Sequence, residues 1–114
     1  MEAVDGKREN LKAMLKRTVG FVPKDAVGWL YVARGLFKLK DYHLVIEAVS
    51  HCLRHDKTAK EAQHFLAFSL MFTGQTQLAA TAFAKSVSMG NHTDWQPLVE
   101  LCIDHPDVHV SRPR

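Results

Sequence analysis

Seven histidines and two cysteines are the side chains of this 114-residue sequence best suited to metal or nucleophile chemistry. His51 and His55 stand four residues apart, which puts both imidazoles on one face of a helix, and Cys102 with His105 would complete a four-ligand set. The surrounding pattern argues against zinc. No Cys-x2-Cys pair is present, Cys52 falls on an apolar stripe, and Cys102 lies in a segment read below as a cap. Cys52 beside His51 has the composition of a Cys/His dyad, but both would share one helix and nothing supplies an oxyanion hole. Gly-x-Ser-x-Gly, a phosphate-binding glycine loop and His-Glu-x-x-His are missing. No pair of carboxylates marks a pocket. The sequence is therefore read as non-enzymatic, with no catalytic residue, no metal and no cofactor.

The elements that carry these side chains belong to one small domain. Of the residues, 46% are hydrophobic and 24% charged, a balance that excludes wholesale disorder. Two cysteines are too few for a disulfide scaffold, no secretory leader is recognisable, and both thiols are expected to be reduced, which points to the cytoplasm or the nucleus. The formal charge of +3 is unevenly placed: residues 1–40 hold nine basic and four acidic side chains, residues 41–114 six and eight. A basic end can meet an acidic partner or a phosphate backbone, but here the basic residues are interleaved with Glu2, Asp5 and Glu9, as on a solvated helix face. Nucleic acid is therefore the weaker expectation. The longest uncharged run, 62–84, is long enough to span a bilayer, yet Thr73-Gly74-Gln75-Thr76-Gln77 breaks it. It reads as two buried helices and a turn, with no membrane span.

Internal repetition organises the chain. With residues 26–59 written above 60–93, Val32 falls on Leu66, Ala33 on Ala67, Leu36 on Leu70 and Phe37 on Met71. Ala48 falls on Ala82, Val49 on Phe83, Cys52 on Ser86 and Leu53 on Val87, and the turn Lys40-Asp41 sits over Gly74-Gln75. Each unit holds two amphipathic helical patterns. Trp29, Val32, Ala33 and Leu36 follow i, i+3, i+4, i+7 spacing, as do Val45, Ala48, Val49 and Cys52 after the turn. Small residues at Ala33, Ala67 and Ala79 would let paired helices approach closely. The register continues upstream, with Leu11 on Val45, Leu15 on Val49 and Val19 on Leu53. Residues 6–20 then read as the second helix of a unit, stopped by Gly20 and Pro23.

A 34-residue period with Trp29-x2-Val32-Ala33-x2-Leu36 and Val45-x3-Val49, then Leu66-Ala67-x2-Leu70, Gly74 and Ala79-x3-Phe83, resembles the tetratricopeptide repeat family over roughly residues 6–90. Asp41-Tyr42 matches the usual turn. The sequence departs from the pattern at Val45, bulkier than the expected Ala, and at Lys57 and Asn91, which replace Pro. The resemblance implies an all-α fold, a short tetratricopeptide-like α-solenoid of antiparallel helix pairs. The expected division is an N-terminal helix in 1–25, repeats at 26–59 and 60–93, a C-terminal capping helix at 94–105 and a mobile tail at 106–114.

The resemblance also implies a protein-binding scaffold, an adaptor whose first helices line a groove for a partner helix or an extended peptide. In the first unit the matching face holds Leu30, Tyr31, Arg34, Phe37 and Lys38; in the second it holds His64, Phe65, Phe68, Met71 and Phe72. This surface is aromatic and Met-rich, with a basic side. Its competing role is the packing of one unit on the next, for which Phe37, Phe65 and Phe72 are equally suited. The carboxylate clamp of the chaperone-binding branch is not matched: Leu30, Arg34 and Phe65 stand where its Lys/Asn pattern would, so chaperone C-termini are disfavoured as partners. At the far end Thr93 or Asp94 is the expected N-cap, and Trp95, Leu98, Leu101 and Cys102 are expected to pack on the second unit. The N-terminal half unit would expose Leu11, Met14 and Leu15 unless another helix covers them, which raises self-association or membership of a larger complex as a further reading.

Overall fold

The computed structural model describes residues 11–110, and all of its regular structure is helical. Six α-helices follow one another: α1 (Leu11–Thr18), α2 (Ala26–Lys38), α3 (Tyr42–His55), α4 (Lys60–Phe72), α5 (Thr76–Ser88) and α6 (Trp95–Asp104), with a single 3₁₀ turn, His92–Asp94, leading into α6. Adjacent helices pack as antiparallel pairs, α2 with α3 and α4 with α5, and α3 packs on α4. Helix α4 begins and ends 34 residues after α2, and α5 begins 34 residues after α3. The sequence period is thus repeated in the backbone. Residues 6–10 of the expected N-terminal helix lie outside the described residues.

The turns repeat as closely as the helices. After α2 the Asp41 N–H donates to the Leu36 carbonyl and Lys40 to Phe37, both at 3.0 Å; after α4 Gln75 donates to Leu70 and Gly74 to Met71, at 2.9 and 3.1 Å. This closure satisfies the last helical carbonyls and requires a left-handed residue just past the helix. Gly74 supplies it at φ 82°, but its counterpart is Lys40 at φ 62°, a side chain in a conformation that disfavours a Cβ. At the start of α2 the Asp25 carboxylate accepts the Gly28 N–H at 2.9 Å, an N-cap that satisfies one of the first free donors.

Two apolar clusters form the core. The first joins Leu11, Trp29, Ala33, Val45, Ala48, Val49, Cys52 and Ala62; the second joins Ala67, Leu70, Ala79, Ala80, Ala82, Phe83 and Leu101. Helix α4 contributes to both, and Leu66 packs against both. Alanine at four of the second cluster's seven positions keeps α4 and α5 close, while Phe83 fills the space between them. Gln63 occupies the repeat position of Trp29. It is buried and its amide donates to the Ala82 carbonyl at 3.1 Å, so a cross-helix hydrogen bond stands where the first unit has an indole.

At the N-terminal end Leu11 is fully buried, with Met14 and Leu15 packed against the first cluster, so the chain's own helices cover the half unit; the C-terminal end differs from the sequence expectation. The Leu11 N–H donates to the Glu47 carboxylate at 2.6 Å, so an acid on α3 satisfies the start of α1. At the other end Leu101 and Leu98 pack into the second cluster, but Trp95 is half exposed and neither it nor Cys102 joins the core. The reason is Asp94. Its carboxylate turns inward instead of capping α6, and the next residue, about 100° further round the helix, is left facing outward. The described part of the expected tail is docked. Val108 and Val110 pack on the second cluster, and the Gln77 amide both donates to the His109 carbonyl (2.6 Å) and accepts its N–H (3.1 Å). Among the described residues no helix is long and apolar enough to cross a membrane.

Candidate functional site

Helix α4 presents His64, Phe68 and Phe72 at i, i+4 and i+8, one stripe of a helix face. Phe37 from the last turn of α2 and Tyr42 from the first turn of α3 complete an open depression of about 350 Å³. The reversal between α2 and α3 is what brings Phe37 and Tyr42 together, their ring centroids 5.5 Å apart and nearly perpendicular. Tyr42 in turn lies 4.7 Å from Phe72, and Phe68 meets the buried Phe83 edge to face at 4.9 Å. The depression therefore has a rigid aromatic floor tied to the core and a freer aromatic rim, of which Phe72 is half exposed.

One edge is held by a polar network. His64 Nδ1–H donates to both Asp94 carboxylate oxygens at 2.9–3.0 Å, and the Ser86 hydroxyl donates to the same carboxylate at 2.6 Å. Asn91 Nδ2 donates to Ser86 Oγ (2.8 Å) and to the Lys60 carbonyl (2.6 Å). Asp94 is only 2% exposed, so its charge is compensated by these donors rather than by water. The network ties α4, α5 and the 3₁₀ turn together and orients the imidazole, leaving Nε2 on the ring edge away from Asp94. His, Asp and Ser are the residue types of a hydrolytic triad, but here the hydroxyl bonds the carboxylate and not the imidazole. The imidazole is therefore not placed to take the Ser86 proton as in such a triad, and the shared carboxylate joins α4, α5 and the 3₁₀ turn.

The ten residues expected in a groove divide into three groups. Phe37, His64, Phe68 and Phe72 line the depression. Leu30, Phe65 and Met71 pack into the core, Phe65 against Phe37 at 4.9 Å between the two units. Tyr31, Arg34 and Lys38 are exposed and outside the lining. Arg34 forms a two-pronged ion pair with Glu61, both N···O distances 2.8 Å, joining α2 to α4. The hydrogen bond holds the Glu61 carboxyl below its ordinary range and raises the Arg34 guanidinium. Tyr42 and Asp94 belong to the site without having been expected there. Tyr42 lies on the second helix of its unit, off the first-helix face, and Asp94 pairs with a residue 30 positions away, for which no local pattern exists.

The histidines that suggested metal chemistry lie elsewhere. His51 stacks on Trp29 with ring centroids 4.2 Å apart, and its Nδ1 is 3.2 Å from the Arg54 guanidinium. Burial and the neighbouring Arg54 lower its pKa. Burial pushes the Cys52 thiol up, which disfavours the thiolate that a nucleophile or ligand needs. Among the described residues no three His, Cys, Asp or Glu side chains converge on a metal position.

Family models give no match to the chain, and comparison with curated proteins and with solved structures gives none either.

Proposed function

We propose that this chain is a short tetratricopeptide-like α-solenoid that works as a non-enzymatic protein–protein adaptor. The depression takes an apolar side chain from a partner helix or an extended peptide. The observation that carries this reading is the aromatic depression itself, lined by Phe37, Tyr42, His64, Phe68 and Phe72 and open to solvent. Aromatic residues buried on binding are the usual anchors of protein interfaces, because they remove large apolar areas from water at little cost in side-chain entropy. The 34-residue repetition of helices and turns supports the solenoid reading.

Affinity capture with the purified chain tests the proposal, using Phe72→Glu as the probe of the rim and Lys57→Glu, at an exposed residue outside the lining, as control. Circular dichroism first establishes that both variants keep the helical fold. A partner retained by the parent and the control but lost from Phe72→Glu supports the site. Equal recovery from all three overturns it.

A further inference from the structure

We propose that the outer face of α6 docks a basic amphipathic helix of a partner protein. Two apolar rows run along α6. The inner one, Leu98 and Leu101, packs on the second cluster. The outer one, Trp95, Val99 and Ile103 at i, i+4 and i+8, is 52%, 44% and 70% exposed. With each residue turned 100° from the last, the two rows and Cys102 between them form one apolar arc of about 200°, where a helix packed on one side needs little more than half of that. The chain's own helices cover the inner half. Moreover, α6 is the last helix among the described residues. A helical array that ends in solvent carries a polar outer face on its last element. Here that face holds Trp, Val and Ile, the composition of a surface that something else covers.

The geometry of the row selects a helix. Side chains four apart form a ridge that fits the groove between the ridges of another helix. An extended peptide would have to bury its own N–H and C=O groups against α6, whose backbone is already paired within the helix. A helix arrives with its backbone bonds made. The row spans about 12 Å, a little over two turns, which gives a partner helix three anchor points.

Charge selects a basic helix. Glu100 and Asp104 each stand one residue beyond Val99 and Ile103, so they form a second exposed row beside the first, and Asp107 is exposed just past the end of α6. None of the three is in an ion pair among the described residues. Residues 86–110 contain no Lys or Arg. The buried Asp94 is turned inward to His64 and Ser86 and is no part of this row. Lys or Arg beside the apolar face of a partner helix meets these carboxylates, whereas an acidic helix is repelled. No α6 side chain lines the aromatic depression, so this surface and the adaptor reading fail separately.

The probe is a synthetic helix of about five turns built of Leu and Lys, with Leu on one face, beside a twin in which every Lys is Glu. Neither contains Trp, so the emission of the full chain reports binding through the exposed Trp95, while Trp29 is 1% exposed. Titration at pH 8 lies above the ordinary range of imidazole. The Leu/Lys helix is expected to move the emission to the blue saturably, and the Leu/Glu twin to leave it unchanged. Ile103→Gln should weaken binding about fivefold or more, and Glu100→Lys combined with Asp104→Lys about tenfold or more. Circular dichroism checks the fold, and Val99→Gln replaces Ile103→Gln if that variant unfolds. Phe72→Gln, at the rim of the depression, should bind like the parent. No shift with the Leu/Lys helix, equal shifts with both helices, full binding by either α6 variant, or loss of binding in Phe72→Gln overturns the proposal. An emission that moves with chain concentration alone also overturns it, because a second copy then covers the row.

Discussion

Asp94 holds three helical elements through one carboxylate, so its removal acts on the site and on the fold together. Asp94→Asn replaces a charged acceptor by a neutral amide, which weakens the bonds from His64 and Ser86, and sets an NH2 donor where the second carboxylate oxygen accepted the His64 N–H. The expected cost is about 1–3 kcal/mol, read as a lowered urea midpoint with unchanged slope. His51 gives a prediction of a different kind. Its pKa is lowered from an ordinary value of 6.5, so the unfolded chain takes up this proton more readily than the folded one. The stability it contributes is complete above about pH 6.5 and is lost as the pH falls below it. His51→Phe keeps a ring on Trp29 and removes the titration, so thermal unfolding midpoints between pH 6.5 and 5 should flatten in this variant. Glu61, lowered by Arg34, adds a separate loss only at more acid pH. At this scale the sequence shows which aromatics share a face, because His64, Phe68 and Phe72 follow helical spacing on one helix and Phe37 stands on the matching face of the first unit. It does not show Asp94 against His64, since nothing local distinguishes a buried carboxylate that braces from one that caps.

Among the elements, the helix pairs and their turns are legible because period, size and turn position repeat together. The fit of Lys40 over Gly74 locates both chain reversals, and the backbone then shows an uneven cost. Lys40 adopts φ 62° where its counterpart is glycine. Lys40→Gly should relieve about 1 kcal/mol of left-handed strain, part of it returned through the more flexible unfolded chain, giving a small rise in melting temperature. The roll of α6 was not legible. Trp95, Leu98, Leu101 and Cys102 have the spacing of a buried face, and only the inward Asp94 shows that the helix is turned so that Trp95 and Cys102 leave the core. The docked segment 107–110 escaped for a related reason: its anchor is a side-chain amide on α5 meeting a backbone, which leaves no periodic trace.

For the molecule as a whole, the two clusters meet on α4, and this makes cooperativity a property of one helix. Leu66 packs against both, whereas Leu101 belongs to the second alone. Leu66→Ala should destabilise the chain by about 2–4 kcal/mol and lower hydrogen-exchange protection in α3 and α5 alike. Leu101→Ala should loosen α6 and α5 while α2 and α3 keep their protection. Uniform loss of protection in both variants would show a core that is not divided in this way.

The two tryptophans stand at opposite ends of the helix array in opposite solvents. Trp29 is 1% exposed and sandwiched against an imidazole, and Trp95 is open to water. Their light emission is therefore separable without any added dye: a blue component from the dry indole, sensitive to the charge on His51, and a red component from the wet one. Heating or acid should move the first, and contact at the far end should move the second. The chain thus carries an optical reporter for its interior and another for its exposed terminus.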